Sequence, residues 1–332
     1  MKLRGIDFGH VLDASGVRGW FGEGHSFHPW LRLFGLSFEG STFVAKTTTL
    51  DVRRGHADLR HDDLMTTRIF PQKAVALNWW RGAALNALGL PGPGLKTLLG
   101  TGRWQRLTSP FFLSFMAVKE SPQDSLSEVR TFVQMLKNEL PNFGAPVGLQ
   151  VNFSCPNVHP REHIANFSGH LDEYRALGVP VMVKLSATQS VESAMLIAEH
   201  PACDAICVSN SIAWGAFEDR IDWRGLFGNE SPLKEFGGGG LSGAPLLPIV
   251  TEWVRKARSL GLNKPINAGG GILKPSDVNV LLDAGASSVF VGSIAFLRPL
   301  RVQRTIRHAN QIFSEQARGE SVPHSLPARR RA

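Results

Sequence analysis

The stretch Pro265-Ile266-Asn267-Ala268-Gly269-Gly270-Gly271-Ile272 decides the fold. A short run that is apolar on both faces suits a strand buried in a parallel sheet. Glycines follow it, then Pro275-Ser276-Asp277, which open a helix over 278–284, with Gly285 as its stop. The next run, 288–292, is again apolar and ends in Gly292-Ser293. Strand, glycine turn, helix, strand is the repeating unit of a parallel α/β sheet.

Working outward, similar runs occur at 43–46, 83–88, 111–118, 147–153, 181–185 and 205–209, making eight with 265–268 and 288–292. Helical spacing fills several of the gaps. Residues 125–140 place Leu126, Val129, Phe132, Val133 and Leu136 on one face, and 168–177, 191–200 and 248–259 are further helices. Eight units predict an α/β chain closed into an eight-stranded parallel (β/α)8 TIM barrel, which typically takes about 250 residues. The 332 residues then form one domain, with 1–40 as an N-terminal extension and 317–332 as a mobile basic tail ending Arg329-Arg330-Arg331.

Composition narrows the class. With 43% hydrophobic and 19% charged residues the chain is neither disordered nor fibrous. The formal charge of +8 is mild for this length and carries no interleaved aromatic pattern, so nucleic acid is not expected as a partner. Three cysteines, Cys155, Cys203 and Cys207, make no disulfide scaffold and no metal-ligand set, and point to a reducing, cytoplasmic setting. No apolar run reaches the roughly 18 residues of a membrane span.

In such a barrel the chemistry lies at the strand C-termini. The glycines of 269–271 and 292 let backbone N–H groups approach a phosphate, against plain turn glycines as the simpler alternative. The run 147–153 ends in Asn152-Phe153-Ser154-Cys155-Pro156-Asn157, where two amides offer donors and acceptors to a ligand with imide edges. Cys155 there is either a base or nucleophile, or a small buried residue. Lys46 and Lys184 follow buried runs and either reach solvent or neutralise an anion at the barrel mouth. Ser209-Asn210-Ser211 adds an amide and hydroxyls, and 237–243 is glycine-rich, a bent or mobile loop on the mouth side.

Taken together, these segments resemble the dihydroorotate dehydrogenases, FMN enzymes of pyrimidine synthesis. The resemblance runs from about Asp13 to Phe296. It rests on Ala14-Ser15-Gly16-Val17, Lys46-Thr47-Thr48-Thr49 with Arg53 and Gly55, and Asn86-Ala87-Leu88-Gly89-Leu90. Asn152 to Asn157, Gly240-Leu241-Ser242-Gly243, Asn267 to Gly271 and Val291-Gly292-Ser293 complete it in the family's order. Cysteine at 155 is similar to the soluble class 1 enzymes.

The resemblance implies that Cys155 removes the C5 proton of (S)-dihydroorotate while the C6 hydride passes to flavin N5, giving orotate. It assigns Lys46 a catalytic and binding place between flavin and substrate. The substrate contacts it implies are Asn86, Leu88, Gly89, Leu90, Asn152, Asn157, Asn210 and Ser211. For FMN they are Ala14, Ser15, Gly16, Lys46, Thr47, Asn86, Asn152, Lys184, Ser209, Gly243, Gly270, Gly271, Gly292 and Ser293. A homodimer and an electron-transfer partner subunit are implied as well. The chain departs from the pattern at Asp13, at Gly92 and at His56-Ala57, where the family has asparagine, asparagine and Asn-Pro. Two other readings stand beside this one: an FMN oxidoreductase of another cyclic amide or dihydropyrimidine, and a flavin-free phosphate-binding barrel lyase or isomerase.

Overall fold

The computed structural model describes residues 1–57, 59, 73–153 and 167–319. Seven strands form one parallel sheet: β1 (Val11–Asp13), β2 (Phe111–Phe115), β3 (Val147–Asn152), β4 (Val181–Leu185), β5 (Ala205–Val208), β6 (Ile266–Ala268) and β7 (Ser288–Val291). Their order is β1-β7-β6-β5-β4-β3-β2, so β2 to β7 each lie beside their neighbour in sequence, β7 returns to β1, and β1 and β2 are the outer strands. Every residue of the seven is buried, as their two-sided apolar character requires.

Residues 42–48 reach both outer strands. Thr42 bridges Leu12 of β1, while Val44 and Thr48 bridge Phe112 and Phe115 of β2, all parallel. The backbone bonds run in step: Thr42 N–H donates to Val11 (2.8 Å), Ala45 N–H to Phe112 (2.9 Å) and Thr48 N–H to Ser114 (2.8 Å).

The connections are the expected helices, with ends shifted by a few residues: Pro122–Glu139, Phe167–Arg175, Val191–Glu199, Leu246–Ser259 and Pro275–Asp283. The first starts on a Ser121 side chain that accepts the Asp124 N–H, followed by proline. It buries Val129, Phe132, Val133 and Leu136, and Phe132 stacks on Phe115 of β2 at 3.8 Å between ring centres. Truncating such a ring costs roughly 3–5 kcal/mol.

Three expectations need correction. Residues 83–88 were expected as a parallel strand; Ala83–Asn86 instead belongs to a separate four-stranded antiparallel sheet, ordered Ile212–Ala213, Gly240–Gly243, Ala83–Asn86, Val75–Asn78. The reason is local. Only the four residues 79–82 separate Val75–Asn78 from Ala83–Asn86, and so short a link permits a hairpin but not a parallel crossover. Its burial alternates, as in a sheet packed on one side. Second, the loop expected over 237–243 is in part the strand Gly240–Gly243 of this sheet, since glycine allows the close approach: a Cβ on Gly243 would lie 2.1 Å from the Gly82 carbonyl oxygen. Third, residues 1–40 are more than an extension, because Val11–Asp13 is part of the parallel sheet itself.

The hairpin Lys2–Leu3/Ile6–Asp7 inserts Met1, Leu3 and Phe8 into a cluster with Leu12, Val44, Phe112, Met182, Ala205, Cys207 and Phe290. Phe8 and Phe112 rings lie 4.3 Å apart. This packed interior closes the end of the sheet where the chain begins. The strand C-termini are left to form a site at the other end.

Candidate active site

The strand C-termini and the antiparallel sheet enclose a cavity of about 340 Å³, within the range of small-molecule sites. Phe290 of β7 belongs both to the packed interior and to the cavity lining, so it forms the floor.

After β1 the chain turns through Ala14, Ser15 and Gly16. Ser15 Oγ donates to the Ala45 carbonyl (2.8 Å) and lies 2.9 Å from Thr47 Oγ1, which in turn lies 2.9 Å from Ser114 Oγ. A chain of hydroxyls thus ties the turn to residues 45–47 and to β2. Lys46 emerges between them; its ammonium lies 4.3 Å over the Trp20 ring and donates to the Pro91 carbonyl. Lys184, on β4, is 7% exposed, and its ammonium lies 5.9 Å over Phe290. Among the described lining residues are these two lysines and no carboxylate. The interior field therefore favours an anionic ligand.

The polar wall comes from β3 and the segment after β5. Asn210 Nδ2 donates to Asn152 Oδ1 (2.9 Å), and Asn210 Oδ1 accepts the Ser211 N–H (3.0 Å). Ser209 Oγ accepts the Ala187 N–H (2.9 Å) and donates to the Asn210 carbonyl (2.6 Å). Opposite, Asn86 ends the antiparallel strand and donates to the Gly240 carbonyl (3.3 Å), and Leu88, Gly89 and Leu90 continue the lining.

The third wall is a glycine cradle. Gly243 precedes the helix Leu246–Ser259, Gly270 and Gly271 follow β6, and Gly292 and Ser293 follow β7. A Cβ on Gly271, where φ is +87°, would sit 2.6 Å from the Leu247 backbone nitrogen. The β6 turn thus packs directly on the first turn of that helix, a close approach that a residue without a side chain allows.

Every expected site residue within the described chain therefore lines this one cavity; Cys155 and Asn157 fall outside the described residues, as does the tail from 320 onward. The other two cysteines are placed: Cys203 and Cys207 are buried, and burial pushes both thiols up to about 12. Neither is a thiolate at neutral pH. Among the described residues no cluster of His, Cys, Asp or Glu could hold a metal ion, and no helix is long and apolar enough to cross a membrane.

The cavity also contains residues that no sequence motif marked, notably His25, Phe27 and Phe296. His25 Nε2 lies 3.0 Å from the Gly16 carbonyl oxygen, so that nitrogen carries the proton. Its ring stacks on Phe27 at 5.6 Å, and burial pushes its pKa down, which keeps it neutral at pH 7. These aromatics form an apolar wall beside the glycine turns, suited to a planar ring system.

A family model described as Dihydroorotate dehydrogenase matches residues 2–312. Among curated relatives, the catalytic subunit of Dihydroorotate dehydrogenase B (NAD(+)) from Bacillus pumilus is 29% identical, over 97% of this chain and 96% of the relative. Its counterpart from Bacillus cytotoxicus is 30% identical over 92% and 88%. Dihydroorotate dehydrogenase A (fumarate) from Lactobacillus delbrueckii is 29% identical over 89% and 87%. Among solved structures, DHODH from Eimeria tenella in complex with ferulenol superposes with a TM-score of 0.66 at 17% identity, covering 95% of this chain and 84% of the other.

Proposed function

The chain belongs to the dihydroorotate dehydrogenase family, oxidoreductases of pyrimidine biosynthesis, and on that premise we propose that it binds FMN and oxidises (S)-dihydroorotate to orotate with Cys155 as the base. The observation that carries the reading is the joint placement of a glycine cradle, two lysines and the Asn86, Asn152 and Asn210 amides around one cavity. We also read residues 42–48 as the eighth strand of a closed (β/α)8 barrel. Its parallel bridges to both β1 and β2 support this.

The residues fit FMN. The turns at Gly243, Gly270–Gly271 and Gly292–Ser293 would hold its phosphate, and Lys184 and the 14–16 turn would lie along the ring system. Bound FMN supplies the acceptor for the hydride that leaves C6 of the substrate. Asn86, Asn152, Asn157, Asn210 and Ser211 bind the imide edges and the carboxylate, their amides matching donor to acceptor. The ammonium of Lys46 offsets the negative charge gathered by a phosphorylated cofactor and a carboxylate substrate. Cys155 follows Asn152 by three residues; as thiolate, its Sγ takes the C5 proton and becomes a thiol. Aromatic walls at Phe27, Phe290 and Phe296 exclude water from the reacting ring. The relatives' names divide between NAD(+) and fumarate as acceptor. We extend to this chain the homodimer and partner subunit that the resemblance implies, in a cytoplasmic setting.

Anaerobic rapid mixing tests the assignment of the base. Serine keeps the shape of cysteine but is a far weaker acid than a thiol of pKa about 8.5. Cys155→Ser is expected to retain FMN and to bleach with dihydroorotate at pH 7 some 10²- to 10⁴-fold more slowly, the usual contribution of a general base. A wild-type bleaching rate in the variant would remove Cys155 from the mechanism.

A further inference from the structure

His56 stands where the family resemblance has asparagine, and it touches the segment that ends the Asn86 strand. Its Nδ1 lies 2.7 Å from the Ala87 carbonyl oxygen, and its backbone N–H donates to the Leu88 carbonyl (2.9 Å). Arg53 Nε donates to the Gly89 carbonyl (2.8 Å). Three consecutive carbonyls are thus taken from one side by two residues. In a planar trans peptide the N–H of the following residue points opposite to each carbonyl. The N–H groups of Leu88, Gly89 and Leu90 are therefore turned away from Arg53 and His56, and all three residues line the cavity. Among the described residues, no backbone carbonyl accepts from any of these three N–H groups.

The backbone conformation agrees. Gly89 has φ +72°, and Leu90, a residue with a side chain, has φ +55°. A left-handed non-glycine residue is uncommon and persists where its surroundings impose it. Successive N–H groups in such a turn form a concavity that binds anions. The imidazole lies beside the Phe236 ring, tilted at 32° with ring centres 4.9 Å apart.

We infer that His56 is a positioning residue: with Arg53 it pins the 87–89 carbonyls and so presents the N–H groups of Leu88, Gly89 and Leu90 as a preformed site for the substrate's carboxylate. The inference rests on the dihydroorotate reading above and names the residue that shapes one end of that site. Because the Ala87 carbonyl can only accept, the imidazole donates through Nδ1, and a ring without that proton cannot replace it.

The test uses the FMN-loaded enzyme and orotate as probe, with binding read from the perturbation of the flavin spectrum. His56→Phe keeps a ring on Phe236 but removes the donor. It is expected to weaken orotate binding about tenfold, equivalent to 1.4 kcal/mol. KM for dihydroorotate should rise in proportion, with kcat within about twofold and flavin content unchanged. His56→Asn restores a donor and should recover most of the lost affinity. Phe236→Ala removes only the neighbouring ring and should leave orotate affinity within about twofold; if His56→Phe fails to retain flavin, His56→Leu judged against His56→Asn decides in the same way. Wild-type orotate affinity in His56→Phe, or a tenfold loss in Phe236→Ala, overturns the inference while leaving the substrate reading intact. Wild-type enzyme that binds no orotate overturns both.

Discussion

Asp13 ends β1 immediately before the turn that lines the cavity, and it is wholly buried. Its carboxylate lies 2.5 Å from Arg18 Nε and accepts from Ser41 Oγ at 2.8 Å. Burial pushes its pKa from 3.8 up to about 6, although Arg18 and Ser41 pull it down. A raised carboxyl pKa means that the folded state binds the proton more tightly than the unfolded state. Stability from this group is complete below pH 3.8 and is lost as pH rises through 6, by on the order of 3 kcal/mol. The buried histidines act in the opposite sense. His28 is pushed down to about 4 by burial, so its protonation favours unfolding in acid. Comparison with Asp13→Asn cancels that contribution: urea unfolding at pH 4.5 and pH 7 should show the variant gaining stability relative to wild type at the higher pH. Parallel pH profiles for the two proteins would contradict the assignment. The polar residues of the cavity wall were legible in sequence because strand ends bring them together, whereas His25, Phe27 and Phe296 were not. They converge from two segments nearly 270 residues apart (rings of His25 and Phe296 at 5.3 Å), and no local spacing encodes such a meeting.

Among the elements, the parallel strands were the most readable, since burial on both faces leaves an unbroken apolar signature. Ala83–Asn86 carries a similar run but is fixed by its four-residue link to Val75–Asn78, a turn constraint that outweighs composition. Val11–Asp13 is as short as Ile266–Ala268 but is followed by no long helix to mark it as a strand–helix unit, as Pro275–Asp283 marks the latter. The β6 turn shows how an element makes a binding wall. Gly271 lies so close to the helix Leu246–Ser259 that a side chain there must displace either the helix or the turn. Its φ of +87° is also unfavourable for any residue bearing a Cβ. Gly271→Ala is expected to lose FMN, with a Kd at least tenfold weaker by fluorescence titration and a far-UV spectrum that reports whether the fold is kept. Wild-type FMN affinity in the variant would show that the cradle does not carry the phosphate.

At the scale of the whole molecule, one end of the parallel sheet is plugged by Met1, Leu3 and Phe8, and the other holds the lysine-lined cavity. The plug supplies rigidity without chemistry, and the open end supplies chemistry on loops that the strands hold in place. The net charge of +8 accords with the phosphorylated cofactor and carboxylate substrate proposed for the cavity. On the proposed function, the cavity holds FMN and passes the electrons of dihydroorotate to it. Anaerobic titration of the purified, FMN-reconstituted protein with (S)-dihydroorotate, following flavin absorbance and orotate together, tests it most directly. Complete bleaching is expected, with one orotate formed per flavin. Protein that takes up no FMN, or whose bound flavin stays oxidised in excess dihydroorotate, would contradict it.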